Sequence, residues 1–176
     1  VFRDGHDLGD FLYACFGAHR VGAFGFYAGS ELGELLTECR MYLERMISLK
    51  QGIPERLQRM NVQLVHNLRS GPVDDTELTG EYWDAAEMVP QLEEAGDASN
   101  LYVHFASKLA QLLILGDYEG AAKAADENQK WLAGAASSIF VPNFIYMGAL
   151  AQLQMVRDAE GERREALVAR IDGAIG

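Results

Sequence analysis

Two stretches of this chain are framed in the same way, and that framing limits what it can fold into. Gly9-Asp10 precedes Gly29-Ser30 by 20 residues, and Gly96-Asp97 precedes Gly116-Asp117 by the same interval. The segment inside each frame is apolar, and a shorter amphipathic segment follows. Glycine punctuates helices, and short oxygen-bearing side chains cap helix starts. Each frame therefore predicts a helix–turn–helix hairpin, and a hairpin used twice is the mark of a helical solenoid.

The hydrophobic spacing extends this reading along the chain. Leu32, Leu35, Leu36, Cys39, Leu43, Met46 and Ile47 recur at helical intervals, as do Leu101, Phe105, Leu109, Leu112 and Leu113. No window alternates with period two, so the expected fold class is all-α. Helices are expected over 10–28, 31–50, 54–68, 82–95, 98–115, 118–132, 141–157 and 162–171, about eight in all. Ser30 and Asp117 suit N-caps, and Pro54 and Pro142 suit first turns. Pro90 either kinks the fourth helix or marks its true start. The longest break, 70–81, holds Gly71, Pro72, Asp74, Asp75 and Gly80. Each side of it alone would have a thin core, so a single array over 1–176 is expected. It would comprise a hairpin at 9–50, a middle unit at 53–95, a hairpin at 96–134 and a C-terminal hairpin at 140–175.

Charge excludes some partners. The net charge is −11, carried wholly by residues 71–176, because residues 1–70 balance 8 basic with 8 acidic side chains. Nucleic acid is not expected as a partner, since phosphate binding needs clustered Lys and Arg. Residues 74–97 hold nine acids and no base, which suits either a solvated face or a docking surface for a basic partner. The apolar run from Phe11 to Gly29 is interrupted by His19-Arg20, a costly pair in a bilayer, so no membrane span is expected. Cys15 and Cys39 are too few for a disulfide framework and read as small core residues. The chain opens on Val1 without a signal-peptide pattern, which suggests a fragment cut from a longer protein or a processed one, and a cytoplasmic location is expected.

The second hairpin can be set against the tetratricopeptide pattern. Phe105 and Leu112 fill large positions, Gly116-Asp117-Tyr118 fills the turn, and Ala121 and Ala125 fill small positions where two helices approach closely. Leu109 and Asn128 stand where smaller residues are usual. The first hairpin has Gly17, Gly22, Ala23 and Gly25 to allow the same closeness. In that geometry Phe16, His19, Ala23, Phe26 and Tyr27 face a groove, matched later by Val103, Ala106, Ala110, Leu113 and Ile114. Tyr13, Phe16, Phe24, Phe26 and Tyr27 give the first long helix more apolar surface than one neighbour covers.

No nucleotide loop, nucleophile elbow or HExxH motif is present, and His6, His19, His66 and His104 form no ligand spacing. No catalytic residue, metal or cofactor is expected.

The runs GDFLYACFGAHRVGAFGFYAGSELGELLTEC, EMVPQLEEAGDASNLYVHFASKLAQLLILGDYEGAAKAADENQKWLAG and FVPNFIYMGALAQL carry a more specific likeness. The chain resembles the tetratricopeptide-like region of large multidomain bacterial signalling proteins. These join a serine/threonine kinase, an AAA-type (STAND-like) ATPase, a GAF domain and a sensor histidine kinase. The resemblance spans about residues 9–175. Its most specific pieces are Glu87-Met88-Val89-Pro90, Leu115-Gly116-Asp117-Tyr118-Glu119, Trp131-Leu132 and Phe140-Val141-Pro142 with Phe144 and Tyr146. It implies that Pro90 lies in a turn-and-helix unit between hairpins. It also implies a non-catalytic scaffold for protein–protein interaction and signal coupling, with protein or peptide partners such as the ATPase and kinase domains of the same chain. A homodimer that buries the first-helix aromatics is a further expectation. The alternative is an all-α enzyme or small-ligand binder with an interhelical pocket using His19, Tyr27 or His104.

Overall fold

The computed structural model describes residues 2–72, 74, 76–135, 138, 140–157 and 159–175, without the side chains of 170, 174 and 175. It is all-helical, with no strand among the described residues. The helices are α1 (Phe2–Asp7), α2 (Phe11–Tyr27), α3 (Leu32–Ser48), α4 (Gly52–Ser70), α5 (Ala85–Glu94), α6 (Ala98–Leu115), α7 (Tyr118–Asn128), α8 (Phe140–Arg157) and α9 (Gly161–Ile175), with a 3-10 helix at Gln129–Ala135.

Glycine and its following residue make most of the turns. Gly9, Gly29, Gly96 and Gly116 all lie at positive φ. At each, the next residue's N–H returns to the carbonyl five positions back, as in Ser30 to Gly25 and Asp117 to Leu112. This is the Schellman closure, and it suits glycine because the left-handed region penalises a Cβ. In three of the four the closing residue is an aspartate that also caps the next helix. Asp10 accepts from Tyr13 N–H, Asp97 from Asn100 N–H and Asp117 from Gly120 N–H. Ser30 departs from this. Its N–H closes the turn, but the cap of α3 falls one residue later on Glu31, whose carboxylate accepts from Gly33 and Glu34. Those two N–H groups hold the Glu31 carboxyl below its ordinary range. The expected Ser30 cap is therefore corrected.

Other expectations change with tertiary context. The count of about eight helices becomes nine among the described residues, because α1 forms before the first frame. Phe2 packs against Tyr42 at 5.5 Å under the Arg45 guanidinium, and Gly5 comes close to Ala14. Those docking contacts stabilise a six-residue helix that is too short to persist alone. The helix expected from 82 begins at Ala85, and the one expected to 132 ends at Asn128 and tightens into the 3-10 turn. Pro90 neither starts its helix nor interrupts it. It is the sixth of ten residues in α5. Ile47 leaves the apolar face of α3 and is 45% exposed. Asp75 lies outside the described residues.

The chain divides into two compact units, Val1–Asp74 with Leu78–Met88, and Asp75–Glu77 with Val89–Gly176. In the first, α2 packs on α3 and α4, and α3 packs on α4. In the second, α6 packs on α7 and α8, and α7 packs on α8, with α9 against α8. Leu109, Leu112, Ala121, Ala125, Phe144 and Ala151 lie in the core of the second unit. Each fully buried leucine there contributes about 2 kcal/mol relative to exposure. Cys15 and Cys39 are buried free thiols, and burial pushes Cys39 up to about 11. No described helix is long and apolar enough to cross a membrane.

Candidate functional site

Helix α2 carries most of the residues singled out by sequence. It is capped by Asp10 and is apolar on nearly every side, with Arg20 its one Lys, Arg, Asp or Glu. Its inner face is Ala14, Cys15, Ala18, His19, Gly22 and Ala23. These small residues admit the neighbours closely. A Cβ on Gly22 would stand 2.7 Å from Cys39 Sγ, and one on Gly25 2.7 Å from Leu35 Cδ1.

His19 lies in this inner face and not in a groove. Asn61 Nδ2 donates to His19 Nδ1 at 3.0 Å, which places the ring proton on Nε2. Gln58 also hydrogen bonds to the ring, and Gln58 Nε2 donates to the Cys39 carbonyl at 2.9 Å. One imidazole and two amides thus tie α2, α3 and α4 together. Burial, aided by the nearby Arg20 charge, pushes the His19 pKa down to about 3. His104 in α6 is as enclosed. Burial and then Lys108 push it down to about 3 as well.

The other expected groove residues are scattered in exposure. Phe16, Phe26 and Tyr27 are half-buried. Phe26 packs on the Leu35–Leu36–Cys39 cluster and meets Tyr27 edge-on at 5.2 Å. Burial pushes the Tyr27 phenol up to about 12. In the second unit Val103 and Leu113 pack against the core, while Ile114 stands 59% exposed. Within the first unit the structure brings Phe26 and Tyr27 together. His19 instead turns toward α4.

The outward stripe of α2 runs through Tyr13, Gly17, Arg20, Val21, Phe24 and Ala28, which share one side of the helix by their spacing. Tyr13 is 73% exposed, Phe24 43% and Val21 40%. The groove expectation passed over this stripe, although its crowding of aromatics is visible in the sequence.

A second set of functional groups was not singled out by sequence. Gln63 Oε1 accepts from both Tyr82 and Trp83 N–H, Gln63 Nε2 donates to Asn67, and Asn67 donates to the Thr79 carbonyl. These amides strap the segment before α5 onto α4. The strap buries Leu78 and Trp83, and places Tyr82 under Arg40 at 5.1 Å and beside His66 at 5.7 Å. The sequence signal is the charge-free run Met60–Leu68, where amides alternate with aliphatics; uncharged polar groups so placed suit burial. The acidic run also has internal uses. Asp84 caps α5 by accepting from Ala86 and Glu87, Glu77 pairs with Lys108, and Asp97 caps α6.

Three surface hollows, each open to solvent on one side, accompany these elements. One of about 340 Å³ lies between α1 and the end of α3, and one of about 360 Å³ between the start of α4 and the strap. The third, about 410 Å³, is lined by Phe105, Lys108 and Lys123. Neither His19 nor His104 lines any of the three. No group of three or more His, Cys, Asp or Glu side chains among the described residues is placed to hold a metal ion.

The protein these features define is an all-helical chain of capped hairpins in two compact units. No family model matches it, and no curated protein or solved structure is similar enough to count as a match.

Proposed function

We propose that this chain is a tetratricopeptide-like α-solenoid segment. In this reading it is a non-catalytic, cytoplasmic scaffold that couples signals between ATPase and kinase domains of a multidomain bacterial protein. The observation that carries the proposal is the reuse of one construction. In both units a glycine–aspartate cap opens a long apolar helix, a positive-φ glycine closes it, and the first helix packs on the next two while the second packs on the third. Helix pairs that pack on their successors in this way build continuous arrays. His19 and His104, the histidines of the alternative pocket reading, are enclosed, and burial pushes both down to about 3, which supports a role inside the fold.

The test is the open reading frame that encodes Val1–Gly176, together with a binding measurement. A frame carrying a Walker motif upstream and a histidine-kinase motif downstream is expected. Those purified domains should then be retained by the immobilised 176-residue chain. A frame without either motif, or domains that pass through unretained, would overturn the proposal.

A further inference from the structure

A short acidic segment, Thr76–Glu77, is held on α6 by contacts that would equally suit a peptide from another molecule. We infer that the α6–α7 hairpin is a binding site for an extended acidic peptide, and that Thr76–Glu77 is its built-in occupant, which a partner must displace.

The grip has two parts. Gln111, which is fully buried, donates from Nε2 to the Glu77 main-chain carbonyl at 3.0 Å. Every residue carries that carbonyl, so this contact reads an extended backbone and leaves the sequence open. Lys108 Nζ donates to the Glu77 carboxylate, and this second contact selects an acid. Both donors stand on α6 three residues apart, so they share one side of the helix.

The charges of the hairpin single out Lys108. Glu119 pairs with Lys123, Glu127 pairs with Lys130, and Asp117 accepts from Gly120 N–H. These partners all lie within 117–130. Lys108, mostly buried, takes its carboxylate from a segment 31 residues earlier in the chain. Space beside the segment favours a longer ligand. Thr76 and Glu77 form one edge of the hollow of about 410 Å³, which continues over Phe105, Leu112 and Ala124 to Lys123. That volume is ordinary for a ligand pocket, and its floor is apolar. A peptide that extends along it gains contacts that the internal segment does not make, and such differential contact is what displacement requires. A tethered occupant acts at an effective concentration on the order of millimolar, so a free peptide with no more than the same contacts competes poorly. This site is independent of which domains flank the chain, so its test leaves the scaffold reading to its own.

Fluorescence anisotropy of a fluorescein-labelled peptide copying residues 72–79, PVDDTELT, tests this against the 176-residue chain at up to about 500 μM. Weak binding to the native chain is expected. Glu77→Lys removes the internal acid and should tighten binding at least about tenfold. Glu77→Ala, a milder change, should act in the same direction. Adding Lys108→Glu to Glu77→Lys should abolish binding, and a peptide with lysine in place of its glutamate should bind none of the chains. Circular dichroism checks that each variant remains helical. A peptide that binds the native chain and both Glu77 variants equally overturns the inference, as does one that binds no chain at 500 μM. A lysine peptide that binds as well as the acidic one also overturns it, and assigns the hollow to a basic partner.

Discussion

His19 and His104 sit in separate units, yet each is enclosed and uncharged with its pKa pushed to about 3. In the unfolded chain each returns to about 6.5. Between those values the unfolded state binds the extra proton, so stability falls as pH drops through 6.5. From pH 7 to pH 5 the loss is roughly 2 kcal/mol for each histidine. Urea unfolding at the two pH values checks this, and equal midpoints would mean that the folded rings take up protons freely. Lys50 offers a second test at this scale. It closes the turn after α3 at φ +53, with Gln51 N–H bonded to the Met46 carbonyl, where the other Schellman turns have glycine. Left-handed backbone costs a side-chain-bearing residue about 1–2 kcal/mol, partly offset by glycine's greater freedom when unfolded. Lys50→Gly is therefore expected to raise unfolding stability by about 0.5–1 kcal/mol in thermal or urea melts.

The helix frames were legible because each uses two local devices with fixed chemistry, a glycine for positive φ and an aspartate for the cap. Asp117→Ala should cost about 1 kcal/mol, and Asp117→Asn much less, because the amide oxygen still accepts from Gly120 N–H. Equal losses in both variants would assign the effect to charge. Where elements depart from expectation, a tertiary contact decided the local outcome. α1 forms because Phe2 docks on Tyr42. α5 starts late because Gln63 takes the N–H groups of Tyr82 and Trp83 before a helix can. α7 gives way to a 3-10 turn in which Gly134 lies against the Ala98 backbone with no room for a Cβ. Ser99 Oγ then donates to the Gly134 carbonyl at 3.1 Å. None of these pairs is near in sequence, so no local pattern contains them.

Each of the two units has its own buried core, and the boundary between them passes within α5 at Met88–Val89. Leu109 is fully buried in the core of the second unit. Leu109→Ala should cost about 2–5 kcal/mol through the cavity it leaves. Amide hydrogen exchange should quicken in α6–α8 while α2–α4 keep their protection; equal acceleration in both would show one cooperative core.

By itself the sequence determined the all-helical class, the hairpin frames, the core alanines of α7 and the burial of both cysteines. Spacing and turn chemistry are written residue by residue, so these are local properties. Only the tertiary structure decided that His19 turns inward to Asn61, that the amides of α4 strap the segment before α5, and that Tyr13, Val21 and Phe24 stand on the exposed side of α2. A helix that is apolar all round gives no periodic hint of which side is covered. That choice belongs to the neighbours that pack against it, and α3 and α4 took the side with Ala14, Ala18 and Gly22 because small residues let them come closest.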